Sequence, residues 1–350
     1  MKIGNKEVGG NRTYVIAEFG VNHNGSLERA KEGVRKAAEA GADAIKFQTY
    51  TADELVVKGT PKFWDAESKV DEGLDQHQAY QALEGFKREW YPELIEYCDK
   101  HNIEFLSTPF SFETADFLDS IGMKAFKVAS SNMSNLPFLQ YLAQFKKPII
   151  LSTGASDISE VKEAVRTIEE AGNEDIIILQ CTLKYPTPPE DANFNIIHTL
   201  KKEFGFYPIG LSDHTMGSYS SQVAIAMGAT VLEKHYTVDK TLDKSADHWL
   251  SVDPTELKEI VDGARKIEVL RGRKDKCVYL SEIETRKLDK QSIVSKVEIR
   301  AGQKITEDMI TYKRPGTGIW PKHLGRLLTK SAKGKIPADT TLQWEMFNQK

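Results

Sequence analysis

Eight short apolar runs, each followed at once by a polar or charged cluster, recur along this chain, and any fold must bury all eight while presenting the polar residues beyond them. The runs are Tyr14–Phe19, Ala44–Phe47, Ile103–Leu106, Ala125–Ala129, Pro148–Leu151, Ile176–Leu179, Tyr207–Leu211 and Thr230–Leu232. After them come Gly20 with Asn22-His23-Asn24-Gly25, Gln48-Thr49, Ser107-Thr108-Pro109, Ser130-Ser131-Asn132, Ser152-Thr153-Gly154, Cys181-Thr182, Ser212-Asp213-His214-Thr215 and Glu233-Lys234-His235. Near-continuous apolar runs are the mark of parallel strands buried on both faces. In a (β/α)₈ barrel the residues that do chemistry gather at the carboxyl ends of such strands. Glu18, Lys46, Lys127 and Glu233 place charge within or at the ends of these runs, and an interior does not take up unpaired charge without a reason.

Helical segments with recognisable ends separate the runs, as alternating βα units require. Leu27–Ala40 follows the cap Ser26 and stops at Gly41, and Ile158–Ala171 follows Asp157 and stops at Gly172. Asp253-Pro254-Thr255-Glu256 combines a cap, a first-turn proline and a capping box, opening a helix to about Leu270. The stretch from Thr51 to Gln81 is too long for an ordinary βα loop and carries Phe63, Trp64 and Tyr80, which suits a lid or a dimer contact. After Gly272 the pattern changes to short alternating segments: Ser292–Ile299, Thr306–Ile310, Lys313–Gly318 and Lys335–Thr341 read as strands and turns. The expected organisation is a barrel over 1–272, a linker over 273–285 and a small domain over 286–350, near the lower size limit for independent stability.

Composition narrows the partners. With 28% charged residues and a net charge of -4, the acids and bases are interspersed and no basic stripe exists, which excludes nucleic acid. Cys98, Cys181 and Cys277 are odd in number and widely spaced, which points to a reducing compartment rather than a disulfide framework. Residues 1–11 lack the apolar stretch of a signal peptide and no run is long enough to span a membrane, so a cytoplasmic protein is expected.

His214 and His235 end consecutive strands, where two imidazoles converge on one barrel mouth and can share a divalent ion; two hydrogen-bonded histidines without metal is the plainer alternative. Asp247-His248 adds a carboxylate nearby or is simply polar loop. Lys46 and Lys127, within apolar runs, suit an anionic ligand better than solvated stems do. Ser130, Ser152 and Ser212 supply hydroxyl donors for phosphate oxygens, each a weak sign alone. Together they indicate a phosphorylated, carboxylated small molecule.

Taken in order, Ala17–Gly25, Lys46-Phe47-Gln48-Thr49, Ser107–Ser111, Ile149–Gly154, Tyr185-Pro186-Thr187-Pro188, Gly210–Thr215 and Glu233–Thr237 resemble the sialic acid synthase family over nearly the whole chain. The tail with Lys313-Arg314-Pro315-Gly316-Thr317-Gly318 resembles the antifreeze-like SAF (β-clip) domain of those enzymes. The resemblance implies an α/β fold, a (β/α)₈ TIM barrel followed by a SAF domain. It also implies a transferase that condenses phosphoenolpyruvate with an open-chain N-acetylated hexosamine to a nine-carbon 2-keto acid and phosphate. By similarity His214 and His235 hold Mn²⁺, or Mg²⁺ or Co²⁺. Lys46, Thr108 and Lys127 neutralise the phosphoenolpyruvate carboxylate, and Ser130, Ser152 and Ser212 bind its phosphate. Glu18, Gln48, Tyr185 and Asp247 match positions that handle the sugar and the water at the metal. Arg314 matches an arginine inserted into a neighbouring subunit's site, which implies a domain-swapped homodimer.

The pattern departs from the family at three places. Asn132 stands where a glutamate is usual, Leu183 where some members have a phosphate-binding asparagine, and Lys244-Ser245-Ala246-Asp247 replaces a Gly-Pro-Asp turn. These differences bear on which amino sugar is taken: sialic, legionaminic and pseudaminic acids are all made by relatives of this kind. Two readings of other classes compete. One is a barrel aldolase or 3-deoxy-sugar-acid synthase acting on a different sugar aldehyde, with Lys46, Lys127 or Lys234 as a Schiff-base lysine. The other is a silent binding or ice-adsorbing protein.

Overall fold

A computed structural model describes residues 1–64, 72–84, 86–242 and 247–348. Contacts divide the chain into two compact units, Met1–Gly272 and Arg273–Lys350. The first is built on eight parallel strands: β1 (Tyr14–Gly20), β2 (Ala44–Thr49), β3 (Glu104–Pro109), β4 (Phe126–Val128), β5 (Ile149–Ser152), β6 (Ile176–Cys181), β7 (Ile209–Asp213) and β8 (Val231–His235). The ladder runs β3-β2-β1-β8-β7-β6-β5-β4, and β3 and β4 lie in contact at the seam, which closes the barrel. Each strand lies within two residues of its apolar run at its start, and most continue into the polar cluster beyond it.

Strand pleat decides which way each side chain points. Ile16, Ala44, Leu106, Ala125, Ile150, Ile177, Leu179 and Val231 pack together inside the barrel with Ile3 and Val8. Their neighbours Val15, Ala17, Ile45, Phe105, Phe126, Leu151 and Leu232 pack outward under the helices. Because successive side chains alternate, two residues beyond the inner layer the pleat again points inward, at Glu18, Lys46, Thr108, Lys127, Ser152, Cys181 and Glu233. The same alternation sends Asp213 and Lys234 outward. Gly210 has an inward place with no room for a side chain, since a Cβ there would meet the Val231 carbonyl oxygen at 2.2 Å. At the amino ends, a hairpin of Lys2–Ile3 and Lys6–Glu7 covers the inner layer with Ile3 and Val8.

A helix follows every strand: α1 (Leu27–Ala40), α2 (Tyr91–Lys100), α3 (Phe112–Ser120), α4 (Leu136–Gln144), α5 (Ile158–Glu170), α6 (Ile196–Glu203), α7 (Tyr219–Ala226) and α8 (Pro254–Arg271). The caps expected at Ser26, Asp157 and Asp253 all form; Asp253 accepts from the Thr255 and Glu256 amides and Glu256 reciprocates. Gly41 ends α1 at φ 88°, a conformation that favours glycine. The long β2–α2 connection contains short helices Ala52–Leu55 and Gln76–Leu83, and its residues 65–71 lie outside the described part, as do Lys244-Ser245-Ala246.

In the second unit β9 (Ser292–Ser295) pairs antiparallel with β10 (Ile310–Lys313) around a core of Ile293, Ile299, Ile305, Ile319, Leu342 and Phe347. Strands and turns alternate here as read: Ser292–Ile299 is β9 followed by a turn and a bridge from Ile299 to Ile336, and Thr306–Ile310 is a 3₁₀ turn over Glu307–Met309 leading into β10. A helix at Ile283–Asp289, exposed throughout, spans the boundary between the expected linker and the small domain, where no element was read. No helix among the described residues is long and apolar enough to cross a membrane.

Candidate active site

The inward polar layer lines one cavity of about 360 Å³ at the carboxyl ends of the strands. Glu18, Lys46, Gln48, Thr108, Lys127, Ser130, Asn132, Ser152, Tyr185, Ser212, His214 and His235 all face it, together with Glu233, Cys181 and Leu183. At its floor the charges are already paired. Lys46 Nζ lies 2.5 Å from Glu18 Oε2 and 3.8 Å from Glu233 Oε2, and it donates to Thr108 Oγ1 at 3.0 Å. Lys127 Nζ lies 3.4 Å from Glu233 Oε1, which also accepts from Ser212 Oγ at 3.1 Å. Gln48 Nε2 donates to Glu18 Oε1 at 2.9 Å.

These groups are fully buried, so desolvation opposes every charge and the partners decide the outcome. Burial works against the Lys46 ammonium, but Glu18 and Glu233 hold its pKa above the usual value. For Lys127 burial wins and the pKa is lowered. Burial also opposes the Glu233 carboxylate, yet Lys127 and Lys46 pull it down to about 2. Glu233 is the functional residue that sequence reasoning left out of the site; its charge beside an apolar run was the signal.

The two histidines meet as expected, with ring centroids 5.3 Å apart. His214 Nδ1 lies 2.9 Å from the Thr182 carbonyl oxygen, which can only accept, so the proton sits on Nδ1 and Nε2 is left for a ligand. His235 Nδ1 is 3.3 Å from Asp247 Oδ2 without hydrogen-bond geometry. Tyr185 stacks on His214 at 4.0 Å and meets His235 edge-on at 5.6 Å. Burial raises its phenol well above the usual range, so the hydroxyl stays protonated. Among the described residues no group of three His, Cys, Asp or Glu side chains converges on one point. Two imidazoles with the tautomer of one fixed by a backbone carbonyl fit a divalent ion whose remaining positions are filled by oxygen ligands.

Several buried polar atoms on this cavity have no hydrogen bond, among them Ser152 Oγ and Asn132 Nδ2. Ser130 Oγ accepts the Gly154 amide at 2.9 Å, and a Cβ at Gly154 would crowd that oxygen at 2.8 Å. Asp247, also expected at the site, stands beside His235 but is not part of the cavity lining, and two other residues raised by sequence stand elsewhere. Lys234 turns outward to Asp213 at 3.0 Å and cannot serve the cavity as a Schiff-base lysine. Arg314 belongs to the second unit, where it pairs with Asp289 at 2.7 Å and remains exposed.

His23, from the cluster after β1, lies outside the cavity lining but carries a pH prediction. Burial is the main reason its pKa falls from 6.5 to about 3, and Nδ1 accepts the Gly25 amide at 3.0 Å, which requires the neutral ring. The unfolded chain therefore binds a proton that the folded one refuses between pH 6.5 and 3. Stability is complete above that window and falls as pH drops through it, by at most about 4–5 kcal/mol. Urea titrations at several pH values should show this slope in the native chain and a shallower one in His23→Gln; equal slopes would assign the acid loss to other groups.

The barrel and tail both find counterparts among known proteins. Residues 33–276 match the NeuB family and residues 290–348 match the SAF domain. The N,N'-diacetyllegionaminic acid synthase of Legionella pneumophila is 39% identical over 336 residues, covering 95% of this chain and 94% of that one. Pseudaminic acid synthase of Campylobacter jejuni is 35% identical over 341 residues, 96% of each protein. The crystal structure of N-acetylneuraminic acid (sialic acid) synthetase from Leptospira borgpetersenii, in complex with citrate, is similar at a TM-score of 0.72 and 34% identity, covering 81% of this chain and 94% of that one. With both units matched and the polar layer of the barrel in place, the chain belongs to the NeuB family of nonulosonic acid synthases, a (β/α)₈ barrel enzyme followed by a SAF domain.

Proposed function

We propose that the protein condenses phosphoenolpyruvate with the open-chain aldehyde of an N-acetylated hexosamine, in a metal-dependent reaction that yields a sialic-acid-like 2-keto acid and phosphate. The observation that carries this reading is one cavity holding two buried lysines, an imidazole pair and unbonded Ser152 and Asn132 donors. Lys46, Thr108 and Lys127 receive the substrate carboxylate; Ser130, Ser152 and Ser212 receive its phosphate. Glu18, Gln48, Tyr185 and Asp247 orient the sugar and the attacking water. Carbon 3 of phosphoenolpyruvate bonds to the aldehyde carbon, water adds at carbon 2, and phosphate leaves with its bridging oxygen.

Electrostatics favours two further participants. Glu18 and Glu233 offset Lys46 and Lys127, so these four side chains give a multiply charged anion no net attraction. A divalent ion on His214 and His235 would supply positive charge and Lewis-acid polarisation of the aldehyde oxygen. Arg314 of a second copy would supply a guanidinium, which makes the working enzyme a homodimer. Phosphate release from phosphoenolpyruvate, measured against a panel of free and phosphorylated hexosamines with mass analysis of products, tests the reaction. Chelator should abolish it. Burial lowers Lys127, as a Schiff-base lysine requires, so borohydride trapping with substrate belongs in the same experiment; trapping with indifference to chelator would replace this reading by an aldolase.

Asn132 faces the cavity with a neutral amide where relatives were expected to carry a carboxylate. Asn132→Glu should change relative rates among amino sugars while phosphoenolpyruvate affinity stays within about a factor of ten, roughly 1.4 kcal/mol. Collapse of phosphoenolpyruvate binding with an unchanged sugar profile would place the residue at the other substrate.

A further inference from the structure

Asp213 and Lys234 adjoin the two imidazoles in sequence yet face the opposite way. They are in register across β7 and β8, and both are buried behind the barrel wall against α7. Asp213 Oδ2 accepts from Lys234 Nζ at 3.0 Å and from Ser221 Oγ at 2.6 Å. Its Oδ1 accepts from the Thr215 amide at 2.9 Å and from Thr215 Oγ1 at 2.7 Å. Lys234 Nζ also donates to the Thr215 carbonyl at 2.5 Å.

The result is a closed loop of bonds around His214. Strand β7 ends at Asp213, so His214 lies just past the ladder. On the β6 side it is held by the Thr182 carbonyl and by the Thr187 amide, which donates to the His214 carbonyl at 2.9 Å. On the β8 side the residues before and after it are both tied to Lys234, whose next neighbour is His235. A displacement of the backbone that carries His214 therefore stretches a buried ion pair shared with the strand that carries His235, while the Thr182 carbonyl holds the His214 ring itself.

Energetics says what such a pair is for. Two charges lose hydration on burial, and well-packed apolar residues of the same volume are often equally or more stabilising. What apolar residues lack is direction: four directed bonds to one carboxylate fix a geometry. We propose that Asp213 and Lys234 are positioning residues that set the separation and angle of His214 and His235 for a shared divalent ion. This rests on the metal-dependent reading above.

The test is Mn²⁺ binding to the full-length protein, followed by electron paramagnetic resonance, with thermal unfolding of each variant as the fold control. In Asp213→Asn/Lys234→Met the amide oxygen keeps the Thr215 bonds and the cross-strand charge link is gone. The Mn²⁺ dissociation constant should rise about tenfold or more, the range seen when groups orienting a metal's ligands are lost, while Tm stays within a few degrees. At saturating Mn²⁺ most of the kcat should return, which a general loss of structure would not allow. An unchanged Mn²⁺ affinity in the folded variant overturns the proposal. Should that variant not fold, Thr215→Val decides: it keeps the ion pair and the side-chain volume, and it should weaken Mn²⁺ binding by about threefold, whereas native affinity counts against the clamp. The native protein and His214→Ala distinguish failure of the clamp from failure of the metal reading, because a native protein without an Mn²⁺ site that His214→Ala removes ends both together.

Discussion

His214→Ala and His235→Ala should each lower turnover by about 10³-fold or more and reduce bound metal, with unfolding curves close to those of the native chain. Losing one of two imidazole donors leaves too few protein ligands to hold an ion where it can polarise an aldehyde, an effect worth several kcal/mol of barrier. The fold should tolerate the change because both rings lie in the polar layer above the apolar interior of the barrel. Metal analysis after dialysis, activity and urea titration are read together. Full activity in a metal-depleted single mutant would sink the assignment, and loss of activity with loss of fold would call for His→Gln replacements.

Removing the chain after Gly272 should leave a folded barrel with little activity. Arg314 is 67% exposed and its pairing with Asp289 is an exposed ion pair, worth at most about 1 kcal/mol. Little holds the guanidinium at home, and closing over an anionic ligand would give it charge-assisted hydrogen bonds. The subunit of origin follows from mixing a His214→Ala chain with an Arg314→Ala chain. If Arg314 acts across a dimer, each heterodimer has one site with both lesions and one with neither, and so shows about half the native activity. If it acts within its own chain, every site keeps one lesion and the mixture stays inactive.

The strands were legible because parallel strands buried on both faces leave an uninterrupted apolar signature, and helix ends were legible where a capping side chain is local, as at Ser26, Asp157 and Asp253. What the apolar runs conceal is direction. Val15 and Ile16 look alike in sequence, although one packs under helices and the other inside the barrel. For the same reason Lys234 was a reasonable Schiff-base candidate until the pleat turned it outward. Glu233 was visible as a charge but not as the hub of Lys46, Lys127 and Ser212, since that pairing joins residues far apart in the chain. The helix at Ile283–Asp289 buries no face and therefore leaves no periodic trace, and strands of two residues at Lys2–Glu7 are too short for any pattern.

The unbonded donors at Ser152 and Asn132 also bear on durability. Both line a polar cavity of about 360 Å³, roomy enough for water, so in the ligand-free protein their bonds are left to solvent. A ligand that takes up those bonds binds only the folded chain and therefore stabilises it, by about 2.7 kcal/mol at a concentration one hundred times its dissociation constant. Heat resistance then rises with substrate supply, and a thermal melt of the protein with and without phosphoenolpyruvate reads the difference.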